Sequence, residues 1–372
     1  MSTSKPLDVV VGGQFGSEAK GHVTHRLLRA RRDAYTKDYA PEWIRRNPFR
    51  QLNIRVAGPN AGHTVITDSG VALPLRTIPV GVATPGTILY LAPGSEIDPD
   101  VLWREVAMCE NAGFTDLWQR LYISTQATML TKEHIFAEIG MHEEIGSTGK
   151  GIGAARAERL MRRAPLVEQY GDLHGWFNVV TPEQHPEFVR QFDHVVVEGT
   201  QGYGLGLHAG FYPYCTSSDC RAIDFLAMAG INPWDRQYGL ASYTWDLEVF
   251  VTLRPYPIRV AGNSGPLLGE TTWEALGLPE EKTTVTQKTR RVGAWNPQLA
   301  KAAVEANGGH PVVRLALTML DQVFPKIAGE TNEEALLDDD VEDYLAAIER
   351  DCGATIGVIT TGPNTGWVYS DV

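Results

Sequence analysis

At 372 residues, 43% hydrophobic and 21% charged, the chain has room for one large α/β domain with insertions, or for two domains. Its formal net charge of −12 argues against a non-specific nucleic-acid or anionic-membrane binder, while leaving a local basic site open. No apolar run approaches the roughly 18 residues that span a bilayer, and the four cysteines (Cys109, Cys215, Cys220, Cys352) show neither Cys-x-x-Cys spacing nor a dense framework. Residues 1–6 run straight into a strand without a signal-peptide apolar region, so a cytoplasmic protein with free thiols is expected, with neither nucleic acid nor membrane as partner.

The first predicted strand is the β-branched run at residues 9–11. A glycine-rich turn, Gly12-Gly13-Gln14-Phe15-Gly16-Ser17-Glu18-Ala19-Lys20-Gly21-His22, leads from it into a helix carrying Arg26, Leu27 and Leu28. Strand, glycine loop and a lysine at a helix start form an anion cradle: backbone N–H groups point outward, the helix dipole adds partial positive charge, and an ammonium reaches phosphate oxygens. The spacing differs from Gly-x-x-x-x-Gly-Lys-Ser/Thr, because Gly21 and His22 follow Lys20. His22 and His25 are spaced for one helix face. With no third ligand evident they are expected on a solvated surface.

Residues 31–50 are polar, basic and aromatic with two prolines, and read as an irregular connection with one short helix near 42–46. A strand at 52–56 opens into a second glycine loop, Gly58-Pro59-Asn60-Ala61-Gly62-His63-Thr64. A hairpin around Asp68-Ser69-Gly70 follows. Further strands are expected at 87–91 and 121–124, with helices at 100–112, announced by Asp98-Pro99, and at 132–142. A third glycine loop at 145–153 precedes a basic helix at 154–163. The run 194–198 is a clear strand ending in Glu198 and opening into Gly199-Thr200-Gln201-Gly202. Later come strands at 248–253, 312–317 and 355–359, a polar cationic stretch at 283–293, and an acidic helix at 338–350. The charge at 333–343 is expected on the surface. Strands alternating with helices, with polar glycine loops after several strands, indicate a mostly parallel central sheet flanked by helices, with a site along one edge. No linker divides the chain, so a single domain with inserted subdomains over residues 1–372 is expected.

The loops resemble, in order, those of the adenylosuccinate synthetase family. The motifs that carry this are Gly-Gln-Phe-Gly-Ser-Glu-Ala-Lys-Gly (13–21), Asn-Ala-Gly-His-Thr (60–64), Gly-Ser-Thr-Gly-Lys-Gly-Ile-Gly (146–153) and Glu-Gly-Thr-Gln-Gly (198–202). Tyr-Pro-Tyr-Cys-Thr-Ser-Ser (212–218), Thr-Arg-Arg-Val-Gly (289–293) and Thr-Thr-Gly-Pro (360–363) continue the series. The resemblance implies a P-loop-related α/β fold and a ligation in which a nucleotide phosphorylates the purine O6 and the amine of L-aspartate displaces that phosphate. It also implies Mg²⁺ as cofactor and a homodimer in which Arg162 reaches the neighbouring subunit's site.

Two departures from the ordinary family stand out. Where Ser17 stands the family has an aspartate that takes the N1 proton and helps hold Mg²⁺. A small hydroxyl there leaves room for a purine 2-amine, as in the viral PurZ-type branch, whose members condense dGMP with L-aspartate on the way to 2-aminoadenine DNA. Met319 stands where the family has the lysine of a guanine-reading Lys-x-Asp, which suits ATP or dATP better than GTP as the donor. A third difference is in the amino-acid loop, where Lys288 and Thr289 replace two of a run of arginines. A viral origin, if the resemblance holds, would place the protein in the host cytoplasm.

By resemblance the catalytic residues are Ser17, Lys20 and His63, an imidazole being able to give a proton or hydrogen bond near neutrality. The acceptor nucleotide falls to Ser17, Asn60, Ala61, Thr148, Arg162, Gln201 and Thr216. The donor nucleotide falls to Gly16, Ser17, Glu18, Ala19, Lys20, Gly21, His22, Gly62, His63, Thr64, Arg290, Asp321, Thr361 and Gly362. Thr284, Val285, Thr286, Lys288 and Arg290 would close over L-aspartate, and Gly62 with Ser17 would hold Mg²⁺. Three routes stay open for the N1 proton: relay through Ser17, water, or acidification of N1 by phosphorylation at O6. Two other readings stay open beside the viral one, an ordinary IMP- and GTP-using synthetase and a non-catalytic nucleotide-binding homologue.

Overall fold

The computed structural model describes residues 3–38, 41–46, 48–56, 58–140, 144–171, 175–237, 243–283, 288–333 and 338–369. The first strand, β1 (Thr3–Gly12), is longer than its apolar centre suggests, because it pairs along its whole length with a later strand. The remaining strands used below are β2 (Gln51–Arg55), β3 (His63–Ile66), β4 (Ala72–Leu75), β5 (Ile88–Leu91), β6 (Leu121–Ser124) and β7 (Asn178–Val180). They continue with β8 (His194–Glu198), β9 (Tyr243–Leu253), β10 (Val313–Leu317), β11 (Thr355–Thr360) and β12 (Gly366–Val368).

Among the described residues the main sheet has eleven strands, ordered β12-β11-β10-β9-β1-β8-β2-β5-β6-β7, with Arg236–Gln237 paired onto β9. Neighbours run parallel except β12 on β11 and the short Arg236–Gln237 strand. A parallel sheet is covered on both faces. Leu7, Val9 and Val11 of β1 accordingly enter one core with Leu52, Ile54, Val195 and Val197, while Val10 packs on the other face against Val23, Leu27 and Leu28.

That second layer belongs to the helix α1 (Lys20–Asp38), which continues well past the point where the sequence suggested an irregular connection. No glycine or proline interrupts residues 22–40, and the arginines are held: Arg31 pairs with Asp8 at 3.2 Å and Glu248 at 3.0 Å, and Arg29 pairs with Asp68. Polar residues on this helix therefore do not mark its end. The short helix Pro41–Arg46 and the β3–β4 hairpin lie where expected.

The helix expected over 132–142 covers Lys132–Ala137, and its last positions lie outside the described residues. The basic helix begins earlier and ends sooner, at Ile152–Leu160. The strand expected at 248–253 begins at Tyr243. The strands β7 and β12 and the helices His185–Arg190 and Pro297–Ala306 were not expected; the last starts from an Asn296 cap accepting from the Leu299 amide. The four cysteines are free, and no described helix is long and apolar enough to cross a membrane.

Because β1, β2, β8, β9, β10 and β11 are parallel, their carboxyl ends lie on one edge. The loops following them meet there, where ligands bind in open parallel sheets.

Candidate active site

The loop after β1 is built from left-handed backbone. Gly16, Ser17 and Ala19 have φ of 82, 58 and 58°, a conformation that gathers successive amides into an anion-binding concavity. Glu18 holds that shape from beneath. Its carboxylate accepts from the Gly16 amide at 2.7 Å and from Lys20 Nζ at 2.6 Å, and both side chains of the ion pair are buried. Glu18 thus organises the loop, engaging the ammonium expected to meet phosphate. Gly12 has to be glycine: a Cβ there would stand 2.4 Å from the Gln201 carbonyl and 2.8 Å from Lys20 Nζ. At Gly21 a Cβ would come within 2.8 Å of the His63 Cβ, so the missing side chain lets α1 start against β3.

A cavity of about 580 Å³ opens above this loop. It brings together residues 16–22, residues 60–64, Thr148, Gln201, Lys288, Arg290, Asp321 and Gly362. A second cavity of about 330 Å³ adjoins it, sharing Phe15, Asn60, Thr148 and Gln201 and adding Thr216. Two expected residues are not on either wall. Thr361 gives its hydroxyl to the Glu330 carbonyl at 2.6 Å, leaving Thr360, Gly362 and Pro363 to face the cavity. Arg162 is exposed, with φ of 62°, just beyond the helix Ile152–Leu160. Thr284, Val285 and Thr286 lie outside the described residues. Ser17 is exposed to the cavity. Asp321 is half-buried with an Oδ1 that has no partner among the described residues, and burial raises its pKa.

His63 reaches the cavity from the start of β3. Its Nδ1 lies 2.5 Å from Oε1 of Glu198, which also accepts from Arg55 Nη1 at 2.6 Å, while Oε2 accepts from the Val80 amide at 3.1 Å. A carboxylate only accepts, so Nδ1 carries the hydrogen and Nε2 is left for a ligand. Burial first, then Arg55, pushes His63 down to about 4 against the pull of Glu198, and the ring is neutral at pH 7. Burial raises Glu198 itself, but Arg55, His63 and the Val80 amide outweigh it and hold the carboxyl below its ordinary range.

His22 and His25, expected on a solvated face, are 7 and 3% exposed. The shared face is the one turned to the protein: His25 bonds to Thr84 Oγ1 at 3.1 Å, and His22 lies on the cavity wall. Burial pushes His22 down to about 3 and His25 down to about 4.

One residue that sequence reasoning missed connects three loops. Arg254, directly after β9, is buried, and its guanidinium grips the Glu281 carboxylate at 2.5 and 3.1 Å. It also donates to the Ser17 carbonyl and to Gln322 Oε1, both at 3.3 Å, while its backbone exchanges two hydrogen bonds with the Gln14 side chain. Its only sequence signal is an arginine closing an apolar strand. Of the Thr-Arg-Arg motif, Arg290 lines the cavity, whereas Arg291 pairs with Glu270 at 2.6 Å and turns away.

For a divalent ion, no group of three His, Cys, Asp or Glu side chains comes together among the described residues. Ser17 and Gly62 both stand on the cavity wall. A hydroxyl and a carbonyl are hard neutral oxygens. They fit an ion such as Mg²⁺ that takes its other ligands from phosphate and water, rather than one caged by protein.

Adjoining cavities at the carboxyl edge of a parallel sheet, one floored by a left-handed phosphate loop, define a nucleotide-binding α/β enzyme. A family model described as adenylosuccinate synthetase matches residues 9–176 and 179–328. The adenylosuccinate synthetases of Pyrococcus horikoshii and Methanococcus vannielii are each 32% identical to the chain; the first alignment covers 96% of both proteins, the second 95% of this chain and 96% of the relative. The chain belongs to the adenylosuccinate synthetase family, ligases of purine nucleotide biosynthesis that form a C–N bond. Among solved structures it is similar to the cyanophage S-2L succinoaminodeoxyadenylate synthetase (PurZ) bound to dGMP and dATP, with TM-score 0.73, 28% identity, and 97 and 94% of the two chains covered. The fully ligated adenylosuccinate synthetase of Plasmodium falciparum shares the fold, with TM-score 0.72, 20% identity and coverage of 98 and 99%.

Proposed function

We propose that this enzyme joins dGMP to L-aspartate, driven by ATP or dATP, giving N6-succino-2-amino-2′-deoxyadenylate for 2-aminoadenine DNA synthesis. The observation that carries the reading is Ser17: a small hydroxyl exposed in the cavity, at a position where an acid would fill the space beside purine C2. The likeness to a phage enzyme bound to dGMP and dATP supports it. In this reaction the bond from the donor's terminal phosphorus to its nucleoside diphosphate breaks as O6 takes the phosphoryl group and N1 gives up its proton to solvent. The aspartate amine then attacks C6, loses a proton to solvent, and phosphate leaves with that oxygen.

In this reading the acceptor nucleotide lies across the wall that the two cavities share, over Asn60, Thr148 and Gln201, with Thr216 in the smaller cavity and the base edge reaching Ser17 in the larger one. Ala61 stands on the larger cavity's side of that wall. The larger cavity takes the donor phosphates on residues 16–22 and the donor base beside Asp321, with Met319 as an apolar, uncharged wall. Lys288 and Arg290 meet the aspartate carboxylates, joined by residues 284–286. Arg162, exposed and outside its own chain's cavities, serves the site of a second copy. Mg²⁺ held at Ser17 and Gly62 would offset phosphate charge.

His63 begins as a neutral ring with Nε2 facing the cavity. An arriving phosphoryl group favours its protonated form, so the ring takes a proton from solvent on Nε2 and becomes the donor that steadies charge between O6 and phosphorus, with Glu198 holding its other edge. A competition assay tests the assignment: phosphate release with dGMP and ATP or dATP, measured beside IMP and GTP. Turnover confined to IMP and GTP returns the enzyme to the ordinary branch. Binding of every purine monophosphate without phosphate release makes it a non-catalytic homologue.

A further inference from the structure

His22 stands two residues beyond Lys20 in the first turn of α1, more than nine-tenths buried and on the wall of the larger cavity. Its Nε2 is 2.8 Å from Nε of Arg26, one turn further along the helix. A guanidinium has donors and no acceptor, so Nε2 must accept. A neutral imidazole has one hydrogen, and it is therefore on Nδ1. That atom has no hydrogen-bond partner among the described residues. Arg26 is itself fixed, giving Nη1 to the Gly366 carbonyl at 2.6 Å and Nη2 to the Asn364 carbonyl at 2.7 Å. Those carbonyls belong to the segment that continues from Gly362 and Pro363 on the same wall.

Geometry also keeps the ring neutral. A second proton would have to sit on Nε2, aiming one N–H at another. Burial, and then the nearby Arg26 and His25, act in the same direction and push the pKa down to about 3.

We propose that His22 donates an uncharged hydrogen bond from Nδ1 to the phosphate chain of the donor nucleotide, and that Arg26 positions it by holding Nε2 as an acceptor. This rests on reading the larger cavity as the phosphate-donor site. The chain then grips a polyphosphate with a neutral N–H next to an ammonium already paired with Glu18, so dipoles supply much of the hold. The wire from Arg26 to the Asn364 and Gly366 carbonyls ties that N–H to the loop forming another part of the wall.

The test uses inorganic tripolyphosphate as the probe and the full chain labelled with ¹⁵N at histidine. Two-bond ¹H–¹⁵N correlation of the wild type, with His22 assigned by its disappearance in His22→Asn, reads the tautomer directly. The expected result is the Nδ1–H form in the free protein and a shift of that nitrogen on adding tripolyphosphate. An Nε2–H form, an unresponsive ring, or no tripolyphosphate binding overturns the proposal. The variants give a second reading. Asparagine places its amide N–H where Nδ1–H was and should hold tripolyphosphate within about three-fold, whereas His22→Gln and His22→Leu should weaken it roughly ten-fold, as loss of a hydrogen bond to a charged group does. Equal weakening by Asn and Gln refutes it. Arg26→Leu should let the ring populate Nε2–H, an effect that a merely structural arginine would not produce. No acceptor nucleotide or base enters these measurements. Failure to use dGMP leaves them standing, and a silent His22 in an enzyme that does use dGMP removes only this proposal.

Discussion

Replacing Arg254 by methionine keeps an unbranched apolar stem and removes a guanidinium that touches the Ser17 loop, Glu281 just before the cationic stretch, and the loop carrying Asp321 and Gln322 together. Four side-chain contacts go: two to Glu281 and one each to the Ser17 carbonyl and Gln322. Breaking a fully buried ion pair costs about 3–5 kcal/mol, but the Glu281 side chain is 29% exposed, so solvent screening brings the expected loss to about 2–3 kcal/mol. On a chain of this length that lowers the melting temperature by about 3–4 °C, leaving a folded enzyme to assay. Initial rates, with each substrate varied in turn, should show KM for L-aspartate and for the phosphate donor rising roughly ten-fold, the equivalent of about 1.4 kcal/mol each, with the acceptor's KM nearly unchanged. Adding Glu281→Gln to Arg254→Met should restore at least about 1 kcal/mol of stability relative to additivity, since no carboxylate is then left without its partner. An acceptor KM that moves as far as the other two, or strict additivity of the two variants, would refute the idea that this pair carries information between the loops.

Ser17→Asp should fold with stability within about 0.5 kcal/mol of the wild type, as exposed substitutions usually do, yet lose at least ten-fold in kcat/KM for dGMP relative to IMP; an unchanged ratio of the two substrates argues against the serine as the selector. Acid should be unusually destabilising. His22, His25 and His63, with folded pKa values of about 3, 4 and 4, stay neutral in the native state while their unfolded counterparts charge below about 6.5, so stability falls as pH drops from about 6.5 towards 4. Near pH 5 their joint contribution approaches roughly 4 kcal/mol per pH unit, and His25→Gln, far from the reacting groups, should remove about a third of it in urea unfolding; an unaltered slope would show that His25 titrates normally.

What the sequence made legible is the set of places where the chain must turn next to a ligand. Apolar runs ending in glycine and small polar residues, such as residues 9–16 and 194–202, can only be buried parallel strands giving way to loops, and those loops meet at one edge. What it hid are the relations that depend on which side of a residue faces inward. Spacing alone puts His22 and His25 on one face but does not say that this face lies against the sheet. Glu18, read as a contact to the donor and found in the lining of the larger cavity, also holds Gly16 and Lys20, which its place in the motif does not reveal. Arg254 meets Ser17 across 237 positions of chain, a pairing with no local signature. Thr361 belongs to the right loop, yet a carbonyl at Glu330 captures its hydroxyl.

Backbone conformation bears on why the two informative departures exist. Non-glycine residues with positive φ number five among the described positions, and four of them, Ser17, Ala19, Gln201 and Met319, stand on the wall of the larger cavity. Left-handed backbone costs an L-residue about 1–2 kcal/mol, so its concentration there shows a surface shaped for what it holds rather than for its own stability. Aspartate is among the residues most at ease at positive φ. The turn at position 17 would accept it at least as readily as serine, and lysine would fit position 319 no worse than methionine, both being unbranched. Folding therefore has no reason to prefer either residue found here. In the function proposed above the preference comes from the ligands: a hydroxyl in place of the family's carboxylate would face the purine and a thioether in place of its ammonium would face the donor base, the pairing expected of an enzyme that takes its guanine in the acceptor rather than the donor.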